Sequence, residues 1–148
     1  MLRLDSSPTK ICQRILLALA NPSVEGRAKA AAELAALSHD PTLAAEFIES
    51  KGLDALMGLF ETGKLAELPV GHLLSAFVDL MEHDVAQWEM VQPVFIGRTA
   101  SLVTNQSTAQ DPRTLQAALS ILENLVNPPS YFPYQYSFLV FSFLIFLF

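Results

Sequence analysis

The sequence predicts an all-α fold of stacked helical repeats followed by an apolar tail. Apolar residues between positions 8 and 127 recur at three and four, the helical period, with no strict alternation. Apolar rows return at a fixed 44-residue step. The last fifteen residues, "YQYSFLVFSFLIFLF", hold no charge, no Gly and no Pro.

Taken in order, six or seven short helices follow from the punctuation between them. The breaks are "NPS" at 21–23, "HDPT" at 39–42, Gly52, Gly63, "ELP" at 67–69 and "QDPRT" at 110–114. Thr42 is expected to N-cap the helix "LAAEFIESK", with Glu46 near its positive end. Gly52 is expected to close that helix as a left-handed C-cap. A helix with Leu53, Leu56, Met57, Leu59 and Phe60 comes next.

A helix pair too small to bury its own face must stack on a copy of itself. The rows show such copies. Leu37, Met81 and Leu125 are 44 residues apart, and Leu34, Val78 and Leu122 keep that step, as do Ala30, Leu74 and Ala118. Leu34, Val78 and Leu122 are expected to be nearly buried on equivalent helices. "ALSHD" at 36–40 also rhymes with "LMEHD" at 80–84. The period falls within the ~40 to 47 residues of armadillo and HEAT repeats, which makes the expected fold an armadillo/HEAT-like α-solenoid of about three repeats. Phe95 and Ile96 are expected in a short helix matching the one that bears Phe47 and Ile48. Residues 1–7 read as an N-terminal extension, 8–127 as the repeat domain and 128–148 as an apolar, disordered or poorly packed tail.

The runs "SVEGRAKAAAELAALSHDPTLAAEFIESKGLDALMGLFETG", "LLSAFVDLMEHDVAQWEMVQPVFIGRTASLV" and "LQAALSILENLV" resemble the armadillo-like helical region of the engulfment and cell motility (ELMO) family. The resemblance covers roughly residues 8–127. It implies a cytoplasmic adaptor that acts with DOCK-type exchange factors upstream of Rac in actin remodelling, phagocytosis and motility. It also implies a Rho-family GTPase as partner, bound in full-length relatives by a ubiquitin-like domain ahead of the repeats. That domain and the pleckstrin-homology and proline-rich parts are not in this sequence, so a fragment or truncated isoform with weakened contacts to both partners is expected.

Composition narrows the classes further. Nine Lys+Arg against fifteen Asp+Glu give a net charge of -6, which repels phosphate backbones and argues against nucleic acid. One cysteine, Cys12, allows no intramolecular disulfide and fits the reducing cytosol. "MLRLDSSPTK" lacks the apolar stretch of a signal peptide.

No catalytic, cofactor or metal site is expected. His39 and His83 each precede an acid, Asp40 and Asp84, but helix-end roles account for both pairs better than a metal or acid–base cluster. Ser38 beside His39 lacks a nucleophile elbow. The glycines Gly52, Gly58, Gly63 and Gly71 form no phosphate-cradling motif. Trp88 reads as a repeat-packing aromatic and Cys12 as a small buried apolar residue. Protein binding is the remaining activity. The concave surface is expected on the helices at about 53–62 and 97–105, with Asp54, Glu61, Arg98 and Asn105 facing outward.

The tail admits three readings. Thirteen residues from Tyr136 to Phe148 fall short of the ~20 that a spanning helix needs. Phe, Leu and Ser codons can be all pyrimidine, so a translated pyrimidine-rich tract is preferred over a membrane-associating tail or a packed helix. The alternative function is therefore a tail-anchored helical membrane-associated protein.

Overall fold

The computed structural model describes residues 8–20, 22–63, 69–104 and 111–147. Nine helices fall among the described residues: α1 (Pro8–Leu19), α2 (Val24–Leu37), α3 (Pro41–Glu49), α4 (Gly52–Thr62), α5 (Val70–Leu80), α6 (Asp84–Glu89), α7 (Pro93–Thr104), α8 (Pro112–Val126) and α9 (Tyr134–Leu147). No strand occurs among the described residues.

Local chemistry sets the starts. Asp-Pro opens both α3 and α8: the Asp side chain accepts a backbone N–H two residues on, and Pro fits the first helical position, where its missing N–H costs nothing. Asp40 accepts from the Thr42 N–H at 2.9 Å, so Asp40, not Thr42, caps α3. Asp111 accepts from the Arg113 N–H at 3.3 Å and from the Thr114 hydroxyl at 2.6 Å. Ser23 caps α2 by accepting from the Gly26 N–H at 3.2 Å.

The turn between α3 and α4 differs from expectation. Lys51, not Gly52, takes the left-handed conformation, with φ 66°. Gly52 instead begins α4 and lies against Phe47, where an added Cβ would meet the Phe47 carbonyl oxygen at 2.7 Å and its ring at 2.8 Å. Glycine is required here for close approach, while a lysine carries the strained backbone.

Two layers build the molecule. Helix α2 packs along α5 and α5 along α8, while α1, α4 and α7 form a second, looser row across the core from them. Each step from α2 to α5 to α8 adds three helices. The 44-residue rows land on these three helices or at their ends: Ala30, Leu74 and Ala118 are all buried, as are Met81 and Leu125, while Leu37 is half-buried. Leu34 is buried too, but Val78 and Leu122 are only half-buried, contrary to the expectation for that row. A small change of helix rotation explains this, since a residue at the edge of a 3.6-period stripe is exposed by a few tens of degrees. The short helix of the second step is α6, so Phe95 and Ile96 belong to α7 and not to a counterpart of α3.

Three rings knit the layers together. Phe60 of α4, Phe77 of α5 and Phe95 of α7 meet edge-to-face with centroids 5.6, 5.5 and 5.0 Å apart, and all three are fully buried. Such pairs add about 0.5–1.5 kcal/mol each beyond the area they bury.

The tail is helical. Tyr136 and Val140 are buried, α9 rests on α7 and α8, and Gln87 of α6 donates to both Tyr136 Oη (3.0 Å) and Asn124 O (2.8 Å). Tyr136 also stacks near Phe132 and Trp88, with centroids at 4.9 and 5.6 Å. Trp88 is thus a packing aromatic on one face, although it stays 42% exposed on the other. No described helix is long and apolar enough to cross a membrane.

Candidate protein-binding face

Of the four residues expected to line a binding surface, the structure describes three. Asp54 is exposed on α4. Glu61 is half-buried, and its Oε1 has no hydrogen-bond partner among the described residues. Arg98 turns inward to the end of α4, where its guanidinium donates to the Phe60 and Gly63 carbonyls at 3.1 and 2.7 Å. Those carbonyls lie where a helix leaves its acceptors unsatisfied, so a half-buried cation there is a C-terminal cap. Asn105 lies outside the described residues.

Beside the α4 and α7 row, where the binding surface was expected, the more closely packed row of α2, α5 and α8 presents a second candidate face.

Between α5 and α8 that face carries a groove of about 220 Å³, lined by Ser75, Val78, Asp79, Arg113, Gln116, Ala117 and Ser120. Half-buried Val78 supplies an apolar floor, and exposed Arg113 and Gln116 offer charged and amide donors on the α8 side. Helix α8 approaches α5 closely at its start: a Cβ on Gly71 would meet Thr114 Oγ1 at 3.1 Å. Thr114 in turn bonds to the Asp111 carboxylate, which holds that acid below its ordinary pKa and keeps the cap anionic.

At the α2 end, Asp79 Oδ2 receives both the Ser38 hydroxyl, at 2.7 Å, and His39 Nδ1, at 2.9 Å. Ser38 and His39 converge on one oxygen and do not bond to each other, so they do not form the relay that activates a nucleophile. The cluster ties the end of α2 to α5. Cys12 is buried, and burial pushes its thiol pKa up, which disfavours the reactive thiolate. Among the described residues no group of three His, Cys, Asp or Glu is placed to hold a metal ion.

Ser75, Arg113, Gln116 and Ser120 were not singled out from sequence. Ser75 and Asp79 flank Val78, and a repeat row whose residue is polar on both sides was the available signal. It does not distinguish a groove from any solvated helix edge.

The family comparison agrees with this architecture. The model of "ELMO, armadillo-like helical domain" matches residues 42–139. It reaches twelve residues past Asn127, where the resemblance was expected to stop, and takes in the Tyr136 contact with α6. Engulfment and cell motility protein 1 of Homo sapiens is 34% identical over 138 residues, covering 85% of this chain and 19% of that protein. Engulfment and cell motility protein 2 of Mus musculus is 37% identical over 131 residues, covering 85% of this chain and 18% of the relative. Engulfment and cell motility protein 3 of Bos taurus is 33% identical over 125 residues, covering 84% and 19%. The chain thus spans about a fifth of the length of the relatives it matches. With its helices in two stacked rows and its sequence matched over most of its length, the chain belongs to the engulfment and cell motility family, in the part that forms the armadillo-like helical domain.

Proposed function

We propose that this chain is a non-enzymatic, cytoplasmic protein-interaction module of an engulfment-type adaptor, and that a partner segment docks on the α2/α5/α8 face. The observation that carries this is the α5–α8 groove, where an apolar floor lies between a carboxylate and a guanidinium on a family-typical helical scaffold. Mixed lining of this kind suits an extended polypeptide, which offers backbone donors and acceptors beside apolar side chains. The partners proposed from family membership are a GTP-loaded Rho-family protein and a DOCK-type exchange factor, acting upstream of Rac. Both contacts are expected to be weak, because one short groove buries little area.

Titration of the full chain with GTP- and GDP-loaded forms of a Rho-family protein tests this reading. Weak binding that prefers GTP and falls when Arg113→Glu is introduced supports the groove. A loss on Asp54→Lys or Glu61→Lys with no effect of Arg113→Glu would move the site back to the α4/α7 row. Tight DOCK binding, or Rac exchange stimulated by this chain alone, would overturn the proposal.

A further inference from the structure

Helix α9 is apolar on both sides, and only one of them is used. Its inner face presents Tyr136, Val140, Phe143 and Leu144 to α7, α8 and the core. Its outer face presents Tyr134, Phe138, Phe141 and Ile145, which are 97, 73, 52 and 75% exposed. The outer residues fall at i, i+4, i+7 and i+11, a single straight stripe along the helix and the spacing of a coiled-coil seam. A helix that is apolar all round is ordinarily buried all round.

We infer that this stripe is the contact between two copies of the chain, packed α9 against α9 about a two-fold axis. Area is the first argument. Phe, Tyr and residues of similar size bury about 150–250 Å² each. At these exposures the stripe offers about 450–740 Å² per copy, so a pair would bury about 900–1,500 Å², the lower part of the range for a specific interface. Charge is the second. No charged side chain follows Glu123, so α9 itself sets no like charges against each other across a two-fold axis, despite the net charge of -6 on each chain. A lipid surface fits less well. Fourteen residues make a helix of about 21 Å, short of a bilayer core, and α9 has no Lys or Arg to meet anionic headgroups. Its second face is already occupied by protein, and the stripe runs on past the family-matched segment through Phe141 and Ile145.

Light scattering of the full chain across a dilution series reads the association. The expected mass is twice the 16.2 kDa of one chain at tens of micromolar, falling toward one chain on dilution. Phe138→Glu and Ile145→Glu are each expected to raise the dissociation constant by about thirtyfold or more, the size of a single hot-spot truncation. Both positions are exposed, so at dilutions where the parent is a single chain the thermal midpoint of each variant should stay near that of the parent. Leu17→Glu, at an equally exposed leucine on α1, should leave the mass unchanged. The inference fails if the parent is monomeric at these concentrations, if the pair survives both α9 substitutions, or if Leu17→Glu is as disruptive. It fails also if the monomer floats with phosphatidylcholine vesicles in a manner that Phe138→Glu abolishes, which would make the stripe a lipid contact.

Discussion

The Ser38 hydroxyl donates to Asp79 Oδ2 across 2.7 Å and 41 positions of sequence, joining the end of α2 to the side of α5. Ser38 is buried and the Asp79 side chain is only 17% exposed, so water cannot readily replace either partner. Asp79→Ala is expected to cost about 1–3 kcal/mol in chemical denaturation, the range for an unsatisfied buried donor and a lost charge-assisted bond. Ser38→Ala should lose most of its effect in the Asp79→Ala background. Additive losses in that double-mutant cycle would mean the contact is not formed. His39, on the same carboxylate but largely exposed, should contribute much less.

Phe77→Ala should be the most damaging single truncation of a core ring. It deletes a fully buried side chain that touches Phe60 and Phe95 and so leaves a cavity where α4, α5 and α7 meet. A loss of about 3–5 kcal/mol is expected, against less than half that for Val78→Ala one position on. Equal effects at the two positions would contradict the burial difference between them.

Lys51 and Gly52 should respond in opposite directions. Lys51→Gly removes a left-handed side-chain strain and is expected to stabilise by up to about 1 kcal/mol. Gly52→Ala forces a methyl into the Phe47 carbonyl and ring and should destabilise, by about 1–3 kcal/mol. Thermal midpoints of the two variants on either side of the parent would bear this out; the reverse order would show that the glycine is the left-handed residue.

Alkaline stability should depend on Tyr136. Burial raises its pKa above the ordinary phenol value, partly offset by the bond from Gln87. An acid whose folded pKa is raised loses nothing below the unfolded value of about 10 and loses stability as pH rises through the higher folded value. Denaturation midpoints should therefore fall above pH about 10, and Tyr136→Phe should flatten that fall while costing the hydrogen bond at neutral pH. An unchanged slope in the variant would place the alkaline transition elsewhere.

Arg98 should behave as a structural residue. Its two bonds to the α4 carbonyls are shared with no other described side chain, so Arg98→Met is expected to cost about 1–3 kcal/mol. A variant of parental stability but weaker partner binding would return Arg98 to the surface role that its position suggests.

By itself, the sequence determined the helical class, the 44-residue step and the family, because each depends on periodicity or on residue identities in order. Ala30, Leu74 and Ala118 were legible as core for that reason. Tertiary structure decided the rest. Val78 shares a row with buried Leu34, yet its exposure depends on how far α5 is rotated against α8, which no local pattern records. Arg98 reads as an outward charge until α4 is seen to end beside it. That α2, α5 and α8 pack more closely than α1, α4 and α7 is a property of side-chain volumes meeting across helices, not of any one helix. The tail shows the same division: "YQYSFLVFSFLIFLF" is apolar at nearly every position and so encodes no preferred face. Its inward side is chosen by tertiary contacts, among them Gln87 and Trp88 of α6 on Tyr136.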